Sequence, residues 1–192
     1  DKQEFCCWTK RREDKMNLKQ AVREDFDRIK AFYIYVIENT DTMKECCRWI
    51  YGLHPDDELI GGYIDSGDMY YNERDGTIAG TLVGGLIIVP IISALTKKQE
   101  EDYHDVPWQK NLADDEVAVG HIMCCDPAIK RQGLAKDLLN STCELCRSLG
   151  KKAYRFDTLA SNTPAQALYD SLGYKRIAQR RWYARNTGWT DF

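Results

Sequence analysis

The chain has 192 residues, 43% of them hydrophobic and 30% charged, with a formal net charge of −3. This is the composition of one globular domain able to bury a core without disulfide staples, and it excludes a disordered or fibrous chain. A net-acidic chain also lacks the basic surface on which general nucleic-acid binding rests, so no nucleic-acid partner is expected.

Asp1 to Lys15 is rich in charge and has no apolar run of the length a secretory signal needs, so it does not read as one. Its composition differs from that of the remaining chain and Met16 would serve as a natural start, so residues 1–15 read as an extension and residues 16–192 as a single domain. Met16 to Ala21 is predicted as a strand. Glu24 to Glu38 is predicted as an amphipathic helix with Phe26, Ile29, Phe32, Tyr33, Val36 and Ile37 inward. Met43–Tyr51 and Asp56–Ile64 form a second helical region interrupted at Gly52 and Pro55. Met69–Asn72 and Thr77–Val89 read as a hairpin turning at Asp75-Gly76.

From Gly76 to Thr96 there is no charged residue, a length sufficient for a membrane span. Gly80, Gly84, Gly85, Pro90 and the many β-branched residues favour a buried strand and a turn instead, so no membrane partner and a cytoplasmic location are expected. The polar connection Thr96–Asp115 holds Tyr103, His104 and Trp108, and loops of that length are usually functional or disordered.

The second half has firmer punctuation. Val117–Cys125 is predicted as a strand ending at Asp126-Pro127, because proline cannot continue a central ladder. Gly133–Leu149 is predicted as a helix, with Leu134, Leu138, Leu145 and Leu149 at helical spacing and Gly150 as its stop. Ala153–Leu159 is a strand, and Thr163-Pro164-Ala165-Gln166 opens a short helix closed by Gly173. Arg176–Arg185 is a further strand. The fold class is α/β or α+β with a mixed sheet.

Of the eight cysteines, Cys6-Cys7, Cys46-Cys47 and Cys124-Cys125 are adjacent in sequence and cannot bridge each other with good geometry. Cys143 and Cys146 form a CxxC inside a helix, with no second CxxC and no paired histidines at zinc spacing, so they read as small apolar residues and no metal is expected. The sequon Asn140-Ser141-Thr142 falls mid-helix and reads as chance.

The most informative stretch is Lys130-Arg131-Gln132-Gly133-Leu134-Ala135, between a strand and a helix. Amides at a helix start have no partner within the helix and carry the positive end of its dipole, so they suit a phosphate or diphosphate. From Ile129 to Arg155 seven Lys and Arg face only Asp137 and Glu144, a basic island in an acidic chain that implies a small polyanion. The plainer reading is a helix with solvated lysines. GxxxxGK[ST] is absent, so the stretch is not a P-loop, and no GxSxG supports a hydrolase.

The ordered set Met123-x-Cys125-x-Pro127, Lys130-x-x-Gly133-x-Ala135 and Asn162-x-x-Ala165-x-x-Leu168-Tyr169-x-x-x-Gly173-Tyr174 resembles the GNAT superfamily of acyl-CoA N-acyltransferases. The resemblance covers about Met16 to Arg185 and implies a mixed, mostly antiparallel central sheet flanked by about four helices. It implies that the fourth and fifth strands splay to admit the pantetheine arm of acetyl-CoA, which enters as co-substrate without a metal. By this similarity the backbone of Met123, Cys124 and Cys125 would pair with pantetheine. The amides around Lys130, Arg131, Gln132, Gly133, Leu134, Ala135 and Lys136 would hold the diphosphate, and Asn162 would hydrogen-bond near the pantetheine or the substrate.

Tyr169 is then the expected general acid, since a phenol is protonated at neutral pH and can donate to a departing thiolate; otherwise it reads as a core tyrosine beside Ala165, Leu168 and Leu172. His121 is the expected base if regular alternation puts it on one face with Met123 and Cys125. Val119 stands where a glutamate is common in similar chains, and Glu116 and His104 are reserves. Tyr33, Tyr103, His104 and Trp108, with Glu101, Asp102 and Asp105 nearby, are the expected acceptor contacts for an amine of a small molecule or peptide. Similar chains add a last strand after the turn at Asn186–Trp189, whereas this one stops at Phe192, so an edge strand is expected to be missing and a second copy could pair there. The rival reading is a non-catalytic acyl-CoA-binding or sensor domain.

Overall fold

The computed structural model describes residues 18–71, 92–96, 103–129 and 133–192. The expected extension, the turn at Asp75-Gly76, most of the uncharged stretch, Glu101, Asp102 and Lys130 to Gln132 lie outside the described residues.

The apolar stripe read in the sequence becomes helix α1 (Phe26–Asn39), whose Ile29, Phe32, Tyr33 and Val36 are buried. The second helical region is shorter than predicted. Met43–Cys47 makes a single wide turn stopped by Arg48 in the left-handed region (φ 55°). Helix α2 (Asp57–Asp65) starts only where the Asp56 carboxylate accepts a hydrogen bond from the Leu59 amide at 2.9 Å.

Strands β1 (Lys19–Gln20), β2 (Met69–Tyr71), β3 (Ile92–Thr96), β4 (Val117–Cys124) and β5 (Ala153–Phe156) form one sheet in that order. The first three pairings are antiparallel, and β4 with β5 is parallel. Helix α3 (Leu134–Ser148) makes the crossover that a parallel pair requires, and helix α4 (Thr163–Ser171) follows β5. On one face of the sheet Ile29, Phe32, Tyr33, Ile60 and Ile64 bury with Met69 and Ile122. On the other, Leu139, Cys143 and Cys146 of α3 bury with Ala118, Tyr154 and Leu172, so the CxxC cysteines are core residues.

Two expectations need correction at the C-terminus. The strand predicted over Arg176–Arg185 is confined to β6 (Arg181–Ala184), because the Arg176 side chain is fastened to Asp170 and Gln166 of α4. A last strand is also present. β7 (Gly188–Asp191) returns antiparallel to β6 in a separate two-stranded sheet, turned by Gly188 at φ 68°.

The register of β4 sets the site. Ile92 pairs with Cys124 but Ala94 pairs with His121, so β4 carries one residue more than β3 across this interval. The extra residue bulges at Ile122, whose φ of 39° is strained for a β-branched side chain. The buried Tyr33 hydroxyl holds the bulge by donating to the Ile122 carbonyl at 2.9 Å. Beyond Gly120–Phe156, β4 and β5 no longer pair. The expected alternation therefore fails: His121 stacks on Tyr63 of α2 with ring centroids 5.8 Å apart, whereas Met123 and Cys125 pack against Leu134 and Leu138 of α3.

Gly120 closes the paired segment, and a Cβ there would lie 2.1 Å from the Tyr154 hydroxyl. Gly120→Ala should destabilise the fold by about 1–3 kcal/mol through overpacking, with part of the loss regained by adding Tyr154→Leu. Urea denaturation reads both values, and an unchanged Gly120→Ala midpoint would contradict this packing.

Candidate active site

A slot opens where β4 and β5 part, flanked by the start of α3 and the start of α4. Gly133 takes φ 81°, which a residue with a side chain adopts only with strain, and from it the chain enters α3. The first-turn amides of Leu134, Ala135 and Lys136 have no acceptor within the helix and sit at its positive end. Asn162 fastens the other wall. Its carbonyl oxygen accepts from the Ala165 amide at 3.4 Å, and its amide nitrogen donates to Thr158 Oγ1 at 3.1 Å and lies 3.6 Å from Cys47 Sγ.

The ring of Tyr169 rests on Phe156, with centroids 4.6 Å apart, and meets Tyr174 edge-on at 6.1 Å. Burial, followed by electrostatic coupling to Cys47, Asp157 and Cys125, pushes its phenol well above the ordinary range, so the hydroxyl is held protonated. The same Tyr169 borders a cavity of about 1010 Å³ that Asp157, Phe156, Tyr103, Trp108 and Trp182 also line. Met123, Cys125 and the start of α3 do not line this cavity, so the slot and the cavity adjoin Tyr169 from different elements.

Tyr169, Tyr103 and Trp108 line one cavity, and the other predicted side chains among the described residues lie apart from it. Tyr33 is fully buried beneath the bulge and has no face for an acceptor, a correction that comes from its bond to Ile122. His104 is exposed and pairs with Asp114 at 3.0 Å. Glu116 is bonded to Lys152 and the Ala113 amide, and those bonds hold its carboxyl below the usual range, away from the slot.

Asp157 is the residue that reading the sequence missed. It stands directly after β5, at the carboxyl end of the parallel pair, where ligand sites of parallel strands gather. Its carboxylate accepts a hydrogen bond from the Tyr103 hydroxyl and acts electrostatically on both Tyr169 and His54. Burial lowers the His54 pKa despite that carboxylate, so the imidazole is held neutral. A carboxylate immediately after a parallel strand was the available signal.

The family model for the acetyltransferase (GNAT) family matches residues 36–174. The chain belongs to that family. A curated relative, the [ribosomal protein bS18]-alanine N-acetyltransferase of Haemophilus ducreyi, is 38% identical over 61 residues; the match covers 32% of this chain and 42% of that protein.

Among solved structures, an acetyltransferase of the GNAT family from Streptococcus agalactiae superposes with a TM-score of 0.61 at 18% identity, over 85% of this chain and 87% of that one. The ribosomal-protein-S18-alanine N-acetyltransferase of Escherichia coli gives 0.55 at 16% identity, over 91% and 88%. Arabidopsis thaliana NAA60, solved with acetyl-CoA, gives 0.59 at 12% identity, over 92% and 95%. These likenesses share the fold. The matched span contains the bulged β4, the glycine-led α3 and the helix bearing Tyr169.

Burial also pushes the thiols at this GNAT slot up, Cys47 to about 11 and Cys125 to about 12. Because the thiolate is the reactive form, at pH 8 Cys47 should alkylate with iodoacetamide about a hundredfold, and Cys125 about a thousandfold, more slowly than in the urea-unfolded chain. Peptide mass mapping reads the rates, and labelling as fast as in urea would contradict a buried slot.

Proposed function

We propose that the protein is an acetyl-CoA-dependent N-acetyltransferase acting on a primary amine of a small molecule or peptide in the cytoplasm. The observation that carries this reading is the parting of β4 from β5 after Gly120 and Phe156, beside a helix entered through Gly133. By this reading pantetheine lies along Met123–Cys125 and the diphosphate sits on the amides that start α3, joined by Lys130, Arg131 and Gln132. Among the described residues no helix is long and apolar enough to cross a membrane.

In the reaction a neutral amine attacks the thioester carbonyl, a C–N bond forms and the C–S bond breaks. The carbonyl oxygen's developing charge falls beside the β4 amides. Tyr169, which burial keeps protonated, gives its proton to the departing thiolate. Asp157 takes the amine's proton. We assign the base to Asp157 rather than His121 because the bulge at Ile122 turns His121 toward Tyr63. The curated relative is a ribosomal-protein-alanine N-acetyltransferase, so a peptide with an N-terminal alanine is the first acceptor to assay.

The sensor reading has one observation in its favour, Val119 at a position where similar chains often hold a glutamate. Calorimetric titration and turnover decide between the two. Acetyl-CoA should bind in the micromolar range, and Tyr169→Phe should lower kcat about a hundredfold while leaving coenzyme affinity unchanged. Absence of binding overturns the whole assignment. Binding without acetylation of alanine-ended peptides, polyamines or aminoglycosides favours the sensor, and equal losses of kcat and affinity would make Tyr169 a binding residue.

A further inference from the structure

A carboxylate at the end of a strand is free to turn about its own side-chain bonds, so something must fix Asp157 if it is to meet an amine in one geometry. The fixing contact is with Tyr103, in the connection before β4, whose hydroxyl donates to Asp157 Oδ1. Tyr103 is 3% exposed. Its ring lies parallel to Trp108 with centroids 6.0 Å apart and meets Trp182 of β6 at 5.9 Å on a tilt. Trp108 in turn donates its indole N–H to the Tyr103 carbonyl at 2.8 Å, locking the two residues into one unit.

That unit is fastened to β5 a second time. The Arg155 guanidinium lies 4.1 Å from the Trp108 ring centroid and donates to the Lys110 carbonyl at 3.1 Å. Arg155 and Asp157 are two residues apart and therefore on one face of the extended chain. One loop thus grips both side chains through a stack of rings, and a hydroxyl on a ring held this way has little freedom of its own. The ionisable groups around Asp157 are Tyr103 from this loop, Arg155 from β5, Tyr169 from α4, and His54 from the segment before α2, with His121 beyond it.

We infer that Tyr103 is a positioning residue that holds the Asp157 carboxylate in one orientation, aimed at the acceptor amine, rather than an acceptor contact as its sequence position suggested. The inference rests on the proposed role of Asp157 as base. A contact residue would act on the KM of the acceptor, whereas a positioning residue acts on kcat through Asp157 and on nothing once Asp157 is gone.

A double-mutant cycle with acetyl-CoA and a hexapeptide bearing an N-terminal alanine reads this difference, accompanied by a crystal structure of the Tyr103→Phe variant, which needs no acceptor. Tyr103→Phe keeps the ring stack and should lower kcat at least about tenfold with acetyl-CoA affinity unchanged, yet cost less than about twofold in an Asp157→Asn background. With the hydrogen bond lost, the Asp157 carboxylate should leave the orientation it holds beside Tyr103.

An unchanged Asp157 orientation in Tyr103→Phe, or equal losses in both backgrounds, overturns the positioning role. If Asp157→Asn itself turns over like the wild type, the base assignment fails, and that outcome is separate from failure of the Tyr103–Asp157 contact because the variant crystal structure reports the contact directly.

Discussion

The hydrogen bond from the buried Tyr33 hydroxyl to the Ile122 carbonyl supports the rest of the site. An inserted residue in β4 puts a β-branched side chain into the left-handed region, a conformation that persists only where surrounding structure determines it. Tyr33 supplies that determination from the far side of the sheet, with its ring sealed among Ile29, Val36 and Ile122. Past the bulge β4 bends away from β5, and backbone groups that a flat sheet would have consumed face a slot.

Two kinds of electrostatic environment meet there. The start of α3 offers amides that have no acceptor within the helix, at its positive end, a setting for a diphosphate that depends on main chain more than on any one side chain. Around Tyr169, burial dominates, so phenol and thiols alike are held in their neutral forms. Under the proposed mechanism Tyr169 gives one proton and Asp157 takes the other, which divides the two proton transfers of acyl transfer between them.

Much of this was legible in the sequence where local chemistry decides the structure. The stripe of α1, the Asn162–Pro164 start of α4, the glycine stops and the Gly133 turn are set by propensity and capping, and the ordered motifs placed them on the right elements. His121 was misplaced because alternation assumes a regular strand, and a bulge held by a tyrosine from 89 positions away leaves no local trace. Tyr33 was misread for the same reason, since an aromatic on an inward helix face gives no sign of what its hydroxyl meets. The grouping of Tyr103, Trp108 and Asp157 depends on a long connection folding back over β5, which no periodicity reports.

The central claim is that the divergence of β4 and β5 is built to receive a coenzyme arm. A crystal structure of the protein soaked with coenzyme A tests it most directly. The account requires the pantetheine to hydrogen-bond the backbone of Met123–Cys125 with the diphosphate on the amides of Leu134 to Lys136, its sulfur facing the Tyr169 hydroxyl. Coenzyme lodged instead in the cavity between Trp108, Tyr174 and Arg180, or β4 and β5 paired along their full length, would contradict it.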